Sequence, residues 1–420
     1  MRAYVAPRLL EFMIFLSGYF FYRFQYGVEN EFVSFNLAVV QMGVALYALI
    51  RYQVKLASLL AVLGFFCVSL LLQFFYYYAY VIPESQLPGS ALEYLFASLR
   101  LWGYLLLCCM YAITVRRDEL PAFCDAFILL SRFSVVVAVA SMLVYYATGQ
   151  AFLINVYIVE HLVRPQAFLS EPSSFAPIAA VLFIVGWLRH SKLDIFLALL
   201  ALAITFSPIS ILVTVITVFL YAFFYLVRSV LARAVVIGAA AAVVAVVLSL
   251  DCASLVTSLN GFERTLGRAS CGVQVMFYDD LRNSLATTFT NQRLTSTLLS
   301  MGLVKDHGGL LFGFGLNSSS IFMPSLFGEV RENSLWVSIL LFYGVVGVVG
   351  FLITVLLGVF FTFQVNKEFA VFYLAVLVSS TINSAGGFYL YSLLFFALTV
   401  LIFGRGEKQR PMLGQGVLST

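Results

Sequence analysis

The sequence predicts an all-α polytopic membrane protein of about twelve transmembrane helices. Of its 420 residues, 62% are hydrophobic and 10% charged, against roughly 45–50% and about 25% in a typical soluble domain. The apolar residues fall in blocks long enough to cross a bilayer as helix, which takes about 20 residues. These blocks are continuous, not the alternating segments of about ten residues that a β-barrel would show, so the spans are expected to be helices with lipid as their solvent.

The N-terminal run follows Arg2 and Arg8, contains Glu11 and lacks a small-residue cleavage site, so it reads as a retained first helix and not a signal peptide. The candidate spans are 9–27, 32–50, 56–80, 92–114, 120–147, 173–188, 193–206, 208–227, 231–250, 334–361, 369–383 and 387–404. Pro208 separates the short seventh span from the eighth, and one long kinked helix plus a re-entrant segment is the other way to read that pair. No repeat, low-complexity tract or linker divides the chain, so 1–420 is expected to be a single membrane domain.

Lysine and arginine set the orientation. With the N-terminus inside, fourteen fall in cytoplasmic segments, seven in outer segments and three (Arg23, Arg100 and Arg132) inside spans. The inner loops are short and the outer ones long, so the density contrast satisfies the positive-inside rule and puts both termini in the cytoplasm. Glu93, one heptad before Arg100, is its expected partner, whereas Arg132 has none in its own helix.

Two outer segments exceed a turn. In the loop 148–172, the stretch 151–163 is too short to cross but apolar enough to lie in the interface. The loop 251–333, between the ninth and tenth spans, is the large periplasmic excursion. It contains Cys252 and Cys271; a disulfide there would close about twenty residues in an oxidising compartment, and the other reading makes Cys252 the buried end of the ninth span.

The three histidines, His161, His190 and His307, lie far apart without metal-ligand spacing, so no metal is expected. Walker, nucleophile-elbow and dinucleotide motifs are absent, and no nucleic-acid partner is expected. The segment RPQAFLSEPSSFAP at 164–177 is the most informative. Structurally, Arg164 snorkels at the interface and Glu171 complements the start of the sixth span. Functionally, a guanidinium suited to phosphate stands seven residues from a carboxylate able to take a proton. Both readings stand on the residues alone.

This segment resembles the Arg and Glu-Pro-Ser pattern of Wzy-type polysaccharide polymerases, within the O-antigen ligase and polymerase superfamily. Arg293 in TNQRL, LLFGFGLN at 310–317 and ENSLWVSILLFYGVVGVVGFL at 332–352 resemble that superfamily's loop Arg, GxG stretch and Asn or His opening a helix with a YGxxG body. TFSPISILV at 205–213 resembles its Ser-containing middle helix. The matches cover about half the chain, in order. Ligases usually carry His where this chain has Asn333, and relatives often carry Gly soon after the first Arg, where this chain has Gln166 and Ala167.

The resemblance implies a GT-C-like glycosyltransferase of the bacterial inner membrane that joins undecaprenyl-pyrophosphate-linked oligosaccharides at the periplasmic face. It implies Arg164 and Arg293 on the pyrophosphate, Glu171 as base, and Arg331, Glu332 and Asn333 in substrate binding. No cofactor is required, because the donor is already activated. A chain-length regulator and a flippase of the same pathway, with membrane lipids, are the implied partners. O-antigen ligase is the near alternative, and a lipid-linked-oligosaccharide flippase or transporter the more distant one.

Overall fold

A computed structural model describes residues 2–21, 23–26, 31–34, 38–52, 54–76, 103–149, 155–159, 162–167, 169, 172–205, 207–226, 310–313, 335–382 and 387–403, with isolated positions between 229 and 305. Helices α1 (Arg2–Phe20), α2 (Ala38–Arg51), α3 (Leu56–Tyr76), α4 (Gly103–Ala112) and α5 (Leu120–Thr148) come first. They are followed by α6 (Ala176–Leu188), α7 (Lys192–Thr205), α8 (Pro208–Tyr221), α9 (Leu335–Val365), α10 (Lys367–Ile382) and α11 (Gly387–Phe403). Arg117–Thr148 and Ser338–Thr362 are long and apolar enough to cross a membrane, and six other apolar helices are shorter. The chain is mostly helical and compatible with an all-α membrane protein.

Apolar side chains cover the outside of these helices as well as the inside. Ile50, Phe75, Phe133, Ile353 and Leu356 are all exposed, the pattern of a helix that meets lipid on one face and protein on the other. The inner packing is aromatic. Phe123 lies 4.9 Å from Phe396 and 5.0 Å from Phe372, and Phe15 lies 5.0 Å from Phe396, tying α1, α5, α10 and α11 together.

One end of the bundle is held by charge. Arg8, buried at the start of α1, donates to Glu11 at 2.7 Å, to Glu119 at 3.1 Å and to the Thr114 carbonyl at 2.7 Å, and it stands 3.8 Å from the centre of the Tyr52 ring. Tyr52 in turn donates to Glu11 at 2.9 Å. Arg189, just past α6, reaches Asp125 of α5 at 2.6 Å and Glu368 of α10 at 2.7 Å. The Glu368 and Asp125 carboxylates hold its guanidinium well above its ordinary pKa. This is the end that lysine and arginine assign to the cytoplasm; it is called the basic end below. Close by, Arg132 and the buried Asp194 make a two-pronged pair at 2.6 and 2.8 Å. The partner Arg132 lacks in its own helix is thus supplied by α7. The pair Arg100–Glu93 and both loop cysteines lie outside the described residues, and of the ninth span only isolated positions are described.

Three expectations are corrected. The first span does not run to 27 nor the second begin at 32: α1 stops at Phe20, and β1 (Arg23–Tyr26) pairs antiparallel with β2 (Glu31–Ser34) before α2 begins. Five polar residues between 23 and 31 (Arg23, Gln25, Glu29, Asn30, Glu31) make that segment a poor continuation of a span. Stretch 151–163 is not merely an apolar surface segment: β3 (Asn155–Val159) pairs with β4 (Leu162–Ala167), with a register shift at Asn155/Val156, and β1 lies against β3. The third correction concerns the tenth span.

That span, 334–361 in the sequence, is not one rod. At Gly344 the backbone takes φ 62°, ψ −160°, a region essentially reserved for glycine. A straight helix would separate Trp336 from Phe351 by about 22 Å, yet their rings are 5.1 Å apart. Ile339 likewise comes within 3.4 Å of the Cβ position of Gly347. The chain folds back on itself, and α9 is a short arm, 335–343, lying along a long arm, 345–365.

Candidate functional site

At the end opposite the ion pairs, helices start and stop at irregular backbone. Tyr19, near the end of α1, donates its hydroxyl to the Ser174 carbonyl at 2.7 Å. Ser174 belongs to a 3-10 turn, Pro172–Phe175, that leads into α6. This turn packs on α7 and α8, and β4 packs on α5, α7 and the turn itself. The segment picked out at 164–177 is therefore a strand, a short connection and a helix start, set over the junction of three helices.

Arg164 occupies β4 opposite Tyr157. It is the only one of the six predicted site residues whose backbone is described; Glu171, Arg293, Arg331, Glu332 and Asn333 lie outside the described residues. Pro165, Ala167 and Leu169 are buried. Ala167 carries φ 50°. A side chain in that left-handed conformation costs roughly 1–2 kcal/mol. The strain falls three residues after the arginine, at the end of β4, where the pairing with β3 shifts register at Asn155/Val156.

Beneath the turn lies a set of buried hydroxyls, drawn partly from the segments 164–177 and 205–213 already marked in the sequence and partly from the rest of α8 and from α10. Ser173 and Ser174 come from the turn, Thr205 from the end of α7, Ser207, Ser210, Thr214 and Thr217 from the start and body of α8, and Ser379 and Ser380 from the end of α10. Val213, Val378 and Ala176 pack together and join α8, α10 and α6 at this level. Ser207 caps α8, accepting from the Ser210 N–H at 3.3 Å. Thr214 and Thr217 return their hydroxyls to the carbonyls of Ser210 and Val213, at 2.8 and 2.7 Å. Ser210 and Ser379 have no hydrogen-bond partner for their buried hydroxyls among the described residues. The available signal was the spacing 207, 210, 214, 217, which lines one face of a helix with small polar side chains.

The large loop reaches the bundle at Leu310–Gly313. The Val345 N–H donates to the Leu310 carbonyl at 2.8 Å and the Val346 N–H to the Leu311 carbonyl at 3.2 Å, so the loop caps the otherwise unsatisfied N-terminus of the long arm. The approach requires two glycines. A Cβ on Gly313, which has φ 74°, would sit 2.5 Å from the backbone of Phe342 and Tyr343; a Cβ on Gly344 would sit 2.4 Å from that of Leu311. The GxG stretch and the YGxxG stretch, about thirty residues apart, thus form a single backbone contact.

Among the described residues this end holds no ion pair; its polar groups are mostly hydroxyls, and the loop piece at Leu310–Gly313 is seated separately by backbone hydrogen bonds. No protein-family model and no curated protein matches the chain.

Proposed function

We propose that this chain is a multi-pass inner-membrane polysaccharide polymerase, with about twelve spans, a GT-C-like fold and both termini in the cytoplasm. It transfers a growing undecaprenyl-pyrophosphate-linked glycan onto a hydroxyl of an incoming lipid-linked repeat unit at the periplasmic face. The acceptor C–O bond forms at the anomeric carbon as the bond to the pyrophosphate breaks. The leaving pyrophosphate is met by Arg164 and Arg293, the acceptor proton passes to Glu171, and Arg331, Glu332 and Asn333 bind sugar and phosphate oxygens.

The observation that carries this reading is the Gly313–Gly344 interlock. Two stretches of the resembling pattern, separate in sequence, meet through contacts that only glycine allows.

The test is substitution in the producing cell. Arg164→Ala and Arg293→Ala leave the protein in the membrane at normal level and stop long-chain polysaccharide, while lipid-linked single repeats accumulate on the outer leaflet. Normal chain length in both variants would overturn the assignment, and accumulated full-length lipid-linked chains would turn it to a ligase. A lipid-linked-oligosaccharide flippase is the second reading, favoured by the reversal at Gly344 and the break at Ser207, because transporters build substrate sites from discontinuous helices. Single repeats trapped on the inner leaflet would select it.

A further inference from the structure

The large loop was expected to be a soluble excursion, yet the piece of it seated at Gly344 has the surface of a lipid-facing segment. Leu310, Leu311 and Phe312 are 49, 61 and 58% exposed. Three consecutive large apolar side chains held outward are costly in water. In lipid the costly groups would instead be the backbone carbonyls, and those of Leu310 and Leu311 are already taken by the N–H groups of Val345 and Val346.

The patch also continues a longer surface. Val345, Val346, Val349, Leu352, Ile353 and Leu356 of the long arm are all exposed, and that arm, 345–365, rises about 30 Å as helix, the thickness of a bilayer's apolar layer. At the top of this stripe, where the helix reaches its first residue, the loop adds three further apolar side chains. The two glycines fix the register of the addition, since neither backbone could come as close with a Cβ present.

We infer that Leu310–Leu311–Phe312 is a lipid anchor: a re-entrant tip by which the large loop inserts into the outer rim of the bilayer's apolar layer beside the long arm of α9. The occupant of this surface is the acyl-chain region of the membrane near the headgroups. The inference rests on the membrane reading and not on the transfer reaction.

The test uses the full chain with Trp102, Trp187 and Trp336 replaced by Phe, reconstituted in vesicles of phosphatidylcholine brominated at defined acyl positions. A single tryptophan is introduced as Leu311→Trp or Phe312→Trp, with Leu352→Trp as the reference on the same stripe. The expected result is quenching of both tip variants, stronger with bromines near the headgroup than near the chain end, and quenching of Leu352→Trp by deeper bromines. If Leu352→Trp is quenched and both tip variants emit as in water, the anchor is overturned and the membrane reading stands. If none of the three is quenched, the membrane reading itself falls. Unquenched, blue-shifted tip emission that depends on the protein-to-lipid ratio would assign the surface to a second copy and overturn the lipid anchor.

Discussion

The two ends of the bundle are stabilised by opposite means. At the basic end, charged groups from distant parts of the sequence neutralise one another: Arg8 with Glu119, and Arg189 with Asp125 and Glu368. At the other end the described residues hold no ion pair; the polar groups are hydroxyls and the Gln41 amide, with Ser210, Ser379 and the Gln41 oxygen without a partner among the described residues, and the backbone is irregular at Ala167, Ser207 and Gly344. Most of the charge at the basic end is paired, although Arg117 Nε and the Tyr111 hydroxyl are buried there without a hydrogen-bond partner among the described residues. Hydroxyls and strained turns hold less tightly and keep hydrogen-bonding capacity, which is where function is usually sited.

This contrast breaks most visibly at Arg8. Arg8→Ala leaves the Glu11 and Glu119 carboxylates without their guanidinium, and removing one member of a buried ionic network costs about 3–5 kcal/mol. The expected outcome is a large drop in the thermal midpoint of the purified protein; an unchanged midpoint would show that the basic end is not a fixed frame. Gly344→Ala sets a Cβ against the Leu311 backbone and forces a side chain into a glycine-only conformation, at a cost of about 1–3 kcal/mol. It should also leave the large loop easier to cleave by protease, an effect Arg8→Ala at matched stability should not share. The smallest effect has the opposite sign. Ala167→Gly relieves the left-handed strain and should raise stability by about 1 kcal/mol, less the entropy glycine adds to the unfolded chain. A loss of stability would mean that the Ala167 methyl, buried in the core, is worth more than the strain.

Helix positions were legible where an apolar block ends in charge or proline. Residues 120–147 were expected as a span and α5 runs Leu120–Thr148; 369–383 and 387–404 match α10 and α11 to within two residues. The reversal at Gly344 was not legible, because YGVVGVVG keeps its apolar character across the break and a lone glycine does not announce φ 62°. The first hairpin was hidden for a related reason: Phe24, Tyr26, Phe32 and Val33 gave the segment enough apolar weight to be absorbed into its neighbours. Arg132 could not be paired from sequence, since Asp194 is 62 positions away and only packing of α5 on α7 brings it near. For the candidate site, chain order gave the segments 164–177, 205–213, 310–317 and 332–352 as separate fragments, without the strand or the glycine contact. Their joining depends on long-range packing, and the roles of Glu171, Arg293 and residues 331–333 rest on resemblance.

The fold-back of α9 also settles a question of length. The helical stretch Leu335–Val365 is 31 residues, some 46 Å if straight, against a hydrocarbon layer of about 30 Å. Overlong helices commonly dispose of the excess by tilting or by thickening the bilayer around them. Here a single glycine doubles nine residues back along the rest and leaves the arm 345–365 with a rise of about 30 Å, the thickness of the layer itself. The surplus becomes an internal splint lying along the long arm.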